Sequence, residues 1–268
     1  MTTTIPTITQ VPFDCVVDGL TLRGTTYLPA GTGGPFPTAL LLHGFGGNRV
    51  EVSGAFVRLA RELAGRGIAT VAYDRAGHGE SDGEFFDTTA TGDVRQAVAV
   101  VRRLADVAEL DSANLHLVGM SLGAVIASGL APISPLPVRS LTLWSAAASF
   151  ADEIGGGQLQ GRPVDGIERD GYFDFYGMRL GPAMIADACG YDVYGRAAAY
   201  PGPVRILHGT ADFIPVSYAQ RFVEVYGEQA ELTVVDGADH GWAQVPHRDL
   251  VIGQTVDFVV RQATGGHR

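Results

Sequence analysis

Short, unbroken apolar runs recur along this chain, separated by longer stretches whose apolar residues return every three or four positions. That alternation limits the possible folds more than any other feature. A strand that is apolar on both sides must be covered on both faces, so it belongs in a sheet with helices above and below. The runs fall at residues 38–42, 68–73, 115–118, 138–144, 204–207 and 232–235, all rich in Val, Leu and Ile. Helical spacing is read over 50–64, 92–110, 122–130, 216–226 and 248–262. In the second of these, Val94, Ala97, Val98, Val101, Leu104 and Ala105 form one buried stripe, with Arg95, Arg102 and Arg103 on the solvated side. Residues 11–30 read as two strands joined at Asp18-Gly19, a hairpin signal. The pattern predicts an α/β fold with a mostly parallel central sheet.

One stretch breaks the alternation. Residues 146–200 are rich in Gly and aromatics, as in Gly155-Gly-Gly, Tyr172-Phe-Asp-Phe-Tyr176 and Gly181-Pro, with no sustained period. So long a segment without regular structure is usually functional or disordered, and its aromatics argue against disorder. It is expected to be a cap inserted into a core of residues 1–145 and 201–268. A chain of 268 residues, 46% hydrophobic, suits such a single domain. No apolar run approaches the roughly 20 residues that cross a bilayer. The N-terminus shows no secretory pattern, which predicts a cytoplasmic protein. Cys15 and Cys189 are expected to be reduced thiols. A formal charge of −10 argues against nucleic acid and anionic membrane as partners. An unpaired edge strand near the N-terminus leaves room for a homodimer.

The chemistry begins at Gly119-Met-Ser121-Leu-Gly123, which follows an apolar strand and precedes a helix-forming run. Strand, sharp turn and helix are the context in which G-x-S-x-G presents a serine nucleophile. A serine hydroxyl needs an adjacent base. Of seven histidines, His240 is the best placed, in the loop after the last strand. His116 lies inside a strand, His247 and His267 lie on polar C-terminal ground, and His78 sits in a Gly-rich turn. His43 and His208 end strands, where a ring tends to bond locally. The acid that orients the base should lie between Ser and His in chain order. Asp212 does, after the penultimate strand; Asp74 precedes the serine and Asp239 adjoins the histidine. The oxyanion donors are expected from the backbone N–H groups of Leu122 and of Phe45, the latter in His43-Gly-Phe-Gly-Gly-Asn48. No metal-ligand spacing and no nucleotide fingerprint is present, so neither metal nor cofactor is expected.

Together these motifs resemble the α/β-hydrolase superfamily over nearly the whole chain. More narrowly, the chain is similar to the bacterial feruloyl (cinnamoyl) esterases. The matching stretches are His43–Asn48 as above, Asp74-Arg-Ala-Gly-His-Gly-Glu-Ser-Asp-Gly83, the Ser121 motif, Tyr200-Pro-Gly-Pro-Val204, His208-Gly-Thr-Ala-Asp212 and Val235-Asp-Gly-Ala-Asp-His-Gly241. The resemblance implies a serine esterase working through an acyl-enzyme on small or aromatic-acyl esters. It also implies that the insertion grips the phenolic end of the acyl group, with Asp152 and Gln158 or Gln160 as polar contacts. The chain departs from that family at Pro182-Ala-Met184-Ile, where those esterases tend to carry an aromatic hydroxyl; Tyr172 and Tyr176 are the nearby substitutes. Met184 and Trp242 complete the expected lining. The same three residues would equally serve a thioesterase, amidase, C–C hydrolase or acyltransferase. A reading from another class is a non-catalytic binding protein on this scaffold, which has no reason to keep all three.

Overall fold

Asp18 and Gly19 both take positive φ, 53° and 80°, the backbone of a tight turn whose twist matches paired strands. They join β1 (Thr9–Val17) to β2 (Leu20–Leu28), antiparallel in register from Val17 opposite Leu20. The structure is a computed structural model describing residues 8–31 and 33–265. The N-terminal stretch read for a leader, and His267, lie outside the described residues.

The chain continues through β3 (Phe36–Leu42), α1 (Ala55–Ala64), β4 (Ala69–Tyr73), α2 (Ala90–Leu104), β5 (Leu110–Met120), α3 (Leu122–Leu130) and β6 (Val138–Trp144). After an insertion come β11 (Val204–Gly209), α8 (Val216–Tyr226), β12 (Ala230–Val235) and α9 (Val245–Ala263). The eight strands run in the order β1-β2-β4-β3-β5-β6-β11-β12. Pairing is antiparallel from β1 to β4 and parallel from β4 to β12. The unbroken apolar runs are explained by two cores. In β3, Leu40 and Leu42 face a cluster with α2, α3 and α8, while Ala39 and Leu41 face a second cluster with α1 and α9. The inner strands such as β3 and β4 therefore bury both of their faces, while β1 and β12 at the sheet edges keep exposed positions.

Two boundaries differ from expectation. The helix expected from residue 50 starts only at Ala55, because Glu51, Ser53 and Gly54 have positive φ. The helix expected to reach 110 stops at Leu104; Ala105, placed in its buried stripe, is exposed, and Leu110 already opens β5.

The insertion is ordered into short elements: α4 (Phe150–Gly155), β7 (Gln158–Leu159), β8 (Arg162–Pro163), α5 (Gly166–Asp170), β9 (Phe173–Phe175), β10 (Met178–Leu180), α6 (Pro182–Cys189) and α7 (Val193–Ala197). None exceeds the 8 residues of α6, so none is long enough to show a period in sequence. Among the described residues, no helix is long and apolar enough to cross a membrane.

Candidate active site

β5 ends at Met120 and α3 begins at Leu122, leaving Ser121 alone on the turn with φ 56° and ψ −123°. For a residue with a side chain this is a strained backbone, and the surroundings enforce it. Ser121 N–H donates to the Trp144 carbonyl at 2.9 Å, and its own carbonyl accepts from Ala147 N–H at 3.1 Å. The flanking glycines permit the close approach. A Cβ on Gly123 would lie 2.0 Å from the Leu42 carbonyl oxygen, and one on Gly119 would lie 2.4 Å from that of Gly123.

Loops after β11 and β12 bring two further side chains to this turn. His240 Nε2 lies 2.9 Å from Ser121 Oγ, and His240 Nδ1 lies 2.8 and 3.0 Å from the two Asp212 oxygens. The Asp212 carboxylate is fully buried, whereas the His240 side chain keeps 20% of its exposure. Burial acts to raise the Asp212 carboxyl, but the hydrogen bond and charge of His240 and the Ile214 N–H outweigh it and hold it below the usual range. An ionised Asp212 keeps the proton on Nδ1, so Nε2 is free to accept from the serine hydroxyl. The exposed Phe213 ring lies 4.3 Å from the imidazole, centroid to centroid.

Ser121 opens into a pocket lined by Phe45, Leu122, Phe150, Ile154, Leu159, Met184 and Phe213, with Ser149, Glu153 and Gln160 as polar members. Most of this lining comes from the insertion. Phe45 and Leu122 line this pocket together with the serine. Among the described residues, neither the Phe45 nor the Leu122 N–H has an acceptor, although the N–H groups of Gly44, Gly46 and Ser121 do.

The sequence profile of the alpha/beta hydrolase family matches residues 39–253. This chain belongs to the alpha/beta hydrolase family. The hydrolase is 29% identical over 224 residues to an uncharacterised protein of Mycobacterium tuberculosis, covering 83% of this chain and 69% of that one. In structure it is similar to the ferulic-acid complex of Est1E from Butyrivibrio proteoclasticus, with TM-score 0.85, 25% identity, and 94% and 99% of the two chains covered. It shares its fold with the 2,6-dihydroxy-pseudo-oxynicotine hydrolase at TM-score 0.72 and 20% identity, covering 96% of this chain and 68% of that one.

The hydrolase places the other expected residues unevenly. Gln160 and Met184 line the pocket. Tyr176 stands at its rim, 70% exposed, donating its hydroxyl to Gln160 Oε1 at 3.3 Å. Asp152 is not in the pocket; it is exposed and accepts from the Tyr218 hydroxyl at 2.9 Å. Gln158 is exposed on β7, and Tyr172 stacks under Arg179 instead. Trp242 is buried in the α1–α9 cluster, across the sheet from the insertion, because its positive φ of 52° turns the chain there after His240. The sequence reading missed Glu153, which accepts from Ser149 Oγ at 2.7 Å and from Gln160 N–H at 2.6 Å. A signal for it existed: Phe150, Glu153 and Ile154 share one face of α4, and Asp152 does not.

His208 Nε2 meets the Ile214 carbonyl at 2.8 Å and His116 Nδ1 meets Ser140 Oγ at 2.8 Å. Asp74 is a latch, accepting from Arg49 N–H at 2.6 Å and Glu80 N–H at 3.0 Å. Asp239 accepts from Ala243 N–H at 2.7 Å.

Proposed function

We propose that this protein is a serine carboxylic-ester hydrolase, with Ser121 as nucleophile, His240 as general base and acid, and Asp212 as the residue that orients it. One observation carries the reading: a continuous hydrogen-bond chain from Asp212 through His240 to a strained serine, beside two N–H groups left without acceptors. An ester carbonyl oxygen seated between the Phe45 and Leu122 N–H groups presents its carbon to Ser121 Oγ. The serine proton passes to His240 Nε2 as the Oγ–carbon bond forms, and the negative charge develops on the oxygen that the two donors face. When the tetrahedral species collapses, His240 returns the proton to the departing alcohol. Water, deprotonated by the same imidazole, then releases the acid.

The insertion is the cap of this site and its pocket takes the acyl group. The wall is apolar and partly aromatic, and Glu153 and Gln160 supply an acceptor-rich end. That combination suits an acyl chain or ring ending in a hydroxyl, which donates to a carboxylate more strongly than to a neutral acceptor. The likeness to a ferulic-acid-binding esterase supports an aromatic acyl group of this kind.

Initial rates on nitrophenyl acetate, butyrate and octanoate, methyl ferulate, methyl p-coumarate and an aliphatic methyl ester test both parts. Ser121→Ala should lower turnover by about 10⁶, the scale of other serine hydrolases. A preference for the hydroxycinnamates in the wild type supports the acyl assignment. Turnover confined to short nitrophenyl esters removes that assignment and keeps the mechanism, while equal rates for mutant and wild type remove the mechanism.

A further inference from the structure

The carbonyl of Gly44 and the N–H of Phe45 belong to one peptide group, and a trans peptide is rigid and planar, so the two point in opposite directions. Whatever holds the carbonyl therefore aims the N–H. Three donors hold it from behind: His43 Nδ1 at 2.8 Å, Arg75 Nη2 at 2.9 Å and Gly47 N–H at 3.3 Å. His43 is itself fixed, since its Nε2 accepts from Arg75 N–H at 3.1 Å and leaves the proton on Nδ1. Burial, and then the charge of Arg75, push that ring far below its ordinary range and keep it neutral. On either side of the peptide, Glu51 accepts from the Gly44 N–H and His78 Nε2 accepts from the Gly46 N–H at 3.3 Å.

Arg75 lies at the centre of this arrangement. Its side chain is completely buried, and Nη1 pairs with Asp93 on α2, itself 2% exposed. Burying two charges costs desolvation that their attraction rarely returns in full, so such a pair is weak evidence for stability. Its geometry is informative. One prong of the guanidinium fork goes to Asp93 and the other to the Gly44 carbonyl, a fixed planar geometry that the freely rotating ammonium of a lysine does not supply.

Resting on the serine-hydrolase reading, we propose that the buried Arg75–Asp93 pair is a positioning device for the reaction. Through the Gly44 carbonyl it aims the Phe45 N–H at the developing oxyanion and polarises it. A cation on the carbonyl side draws electron density from the peptide nitrogen, which strengthens the N–H as a donor where charge appears in the transition state. The ground-state ester gains less from this than the oxyanion, so the device acts on kcat.

Arg75→Lys and Asp93→Asn test this, with active sites counted by fluorophosphonate titration so that misfolded protein does not enter the rate. Removing one oxyanion donor outright costs about 10²–10³ in kcat, so misaiming it in Arg75→Lys should cost about 10–100-fold, with KM changed by less than about threefold. Affinity for a trifluoromethyl ketone, whose adduct carries the oxyanion, should fall by the same factor, while inhibition by the product acid stays constant. Asp93→Asn keeps the side-chain shape and should show the same pattern at about tenfold, which covers a lysine variant that does not fold. Titratable variants that keep kcat within about twofold, or that lose ketone and product binding alike, overturn the proposal. Failure of the underlying reading looks different: the wild type would not label with the fluorophosphonate, and Ser121→Ala would keep its activity.

Discussion

The turn that carries Ser121 and the insertion that faces it are built on opposite plans. Around the serine the backbone is tied down: the side chains of Glu51, His43, Arg75 and His78 hold residues 44–46, and backbone groups of Trp144 and Ala147 hold Ser121 itself. In the insertion no helix exceeds 8 residues, and the polar groups of the pocket are held mainly by one another, Glu153 by Ser149 and Gln160. The proposed chemistry is common to any ester and demands fixed donors and a fixed base. Recognition of one acyl group demands a few side chains that can change without disturbing the sheet. Substitutions near Ser121 should therefore change turnover, and substitutions in the insertion should change choice of substrate.

After Ser121 itself, the largest expected effect is at Asp212. Asp212→Asn keeps the shape but presents an amide to His240 Nδ1, favouring the tautomer that puts the proton on Nε2, where it cannot accept from Ser121. By analogy with the corresponding change in serine proteases, kcat should fall by about 10⁴, with KM nearly unchanged. Steady-state rates on nitrophenyl butyrate decide it. A fall concentrated in KM would instead give Asp212 a role in binding and blur the division between the two regions.

Acid should also separate them. Burial, with Arg75 as the second cause, pushes His78 down to about 3, and burial, with Arg139 second, pushes His116 down to about 4. Both lie below the 6.5 of an ordinary histidine, so the unfolded chain binds protons that the native one refuses. Stability is then level above about pH 6.5 and falls below it by about 1 kcal/mol per pH unit for each histidine, down to its native value. The insertion contains no histidine. The urea midpoint should drop between pH 6.5 and 4, and His116→Gln should flatten the slope by about one histidine's share. An unchanged slope would mean that His116 titrates normally in the fold.

Legibility in the sequence divides along the same line. The inner strands are readable because they bury both faces, so their apolar runs are unbroken, as with Leu40 and Leu42 on one side of β3 and Ala39 and Leu41 on the other. Ser121, Asp212 and His240 are findable because each follows the C-terminal end of a parallel strand, and parallel strands bring those ends together. The insertion is not readable in this way. In α4 the choice between Asp152 and Glu153 depends on a helical register that six residues do not reveal. Trp242 shows the converse error, since closeness to His240 in sequence says nothing about a ring turned beneath the sheet. Arg75 sits inside a motif whose glycines suggest a backbone turn, and only the fold shows its guanidinium reaching the Gly44 carbonyl.

Glu153 is the sharpest test of the insertion. Glu153→Leu removes the carboxylate from an otherwise apolar wall, and Ser149 and Gln160 lose a shared acceptor. The ratio of kcat/KM for methyl ferulate over nitrophenyl butyrate should fall by about tenfold, the worth of one hydrogen bond to a charged group. The rate on nitrophenyl butyrate, which has no distal hydroxyl, should change little. Equal losses on both esters would assign Glu153 to the structure of the cap.

Tyr176 should give the smallest change, because of where its hydroxyl lies. The ring is 70% exposed and its hydrogen bond to Gln160 Oε1 is 3.3 Å long, so water competes for both partners. Such an exposed bond contributes about 0.5 kcal/mol, and Tyr176→Phe should shift the ferulate-to-butyrate ratio by only about twofold. A shift as large as that of Glu153→Leu would mean that the rim folds down over bound substrate and that Tyr176 joins the pocket when an acyl group fills it. The insertion would then be a closing element, and its sparse internal bonding would be what permits the movement, in contrast to the loop around Phe45, where any movement would misdirect the donor.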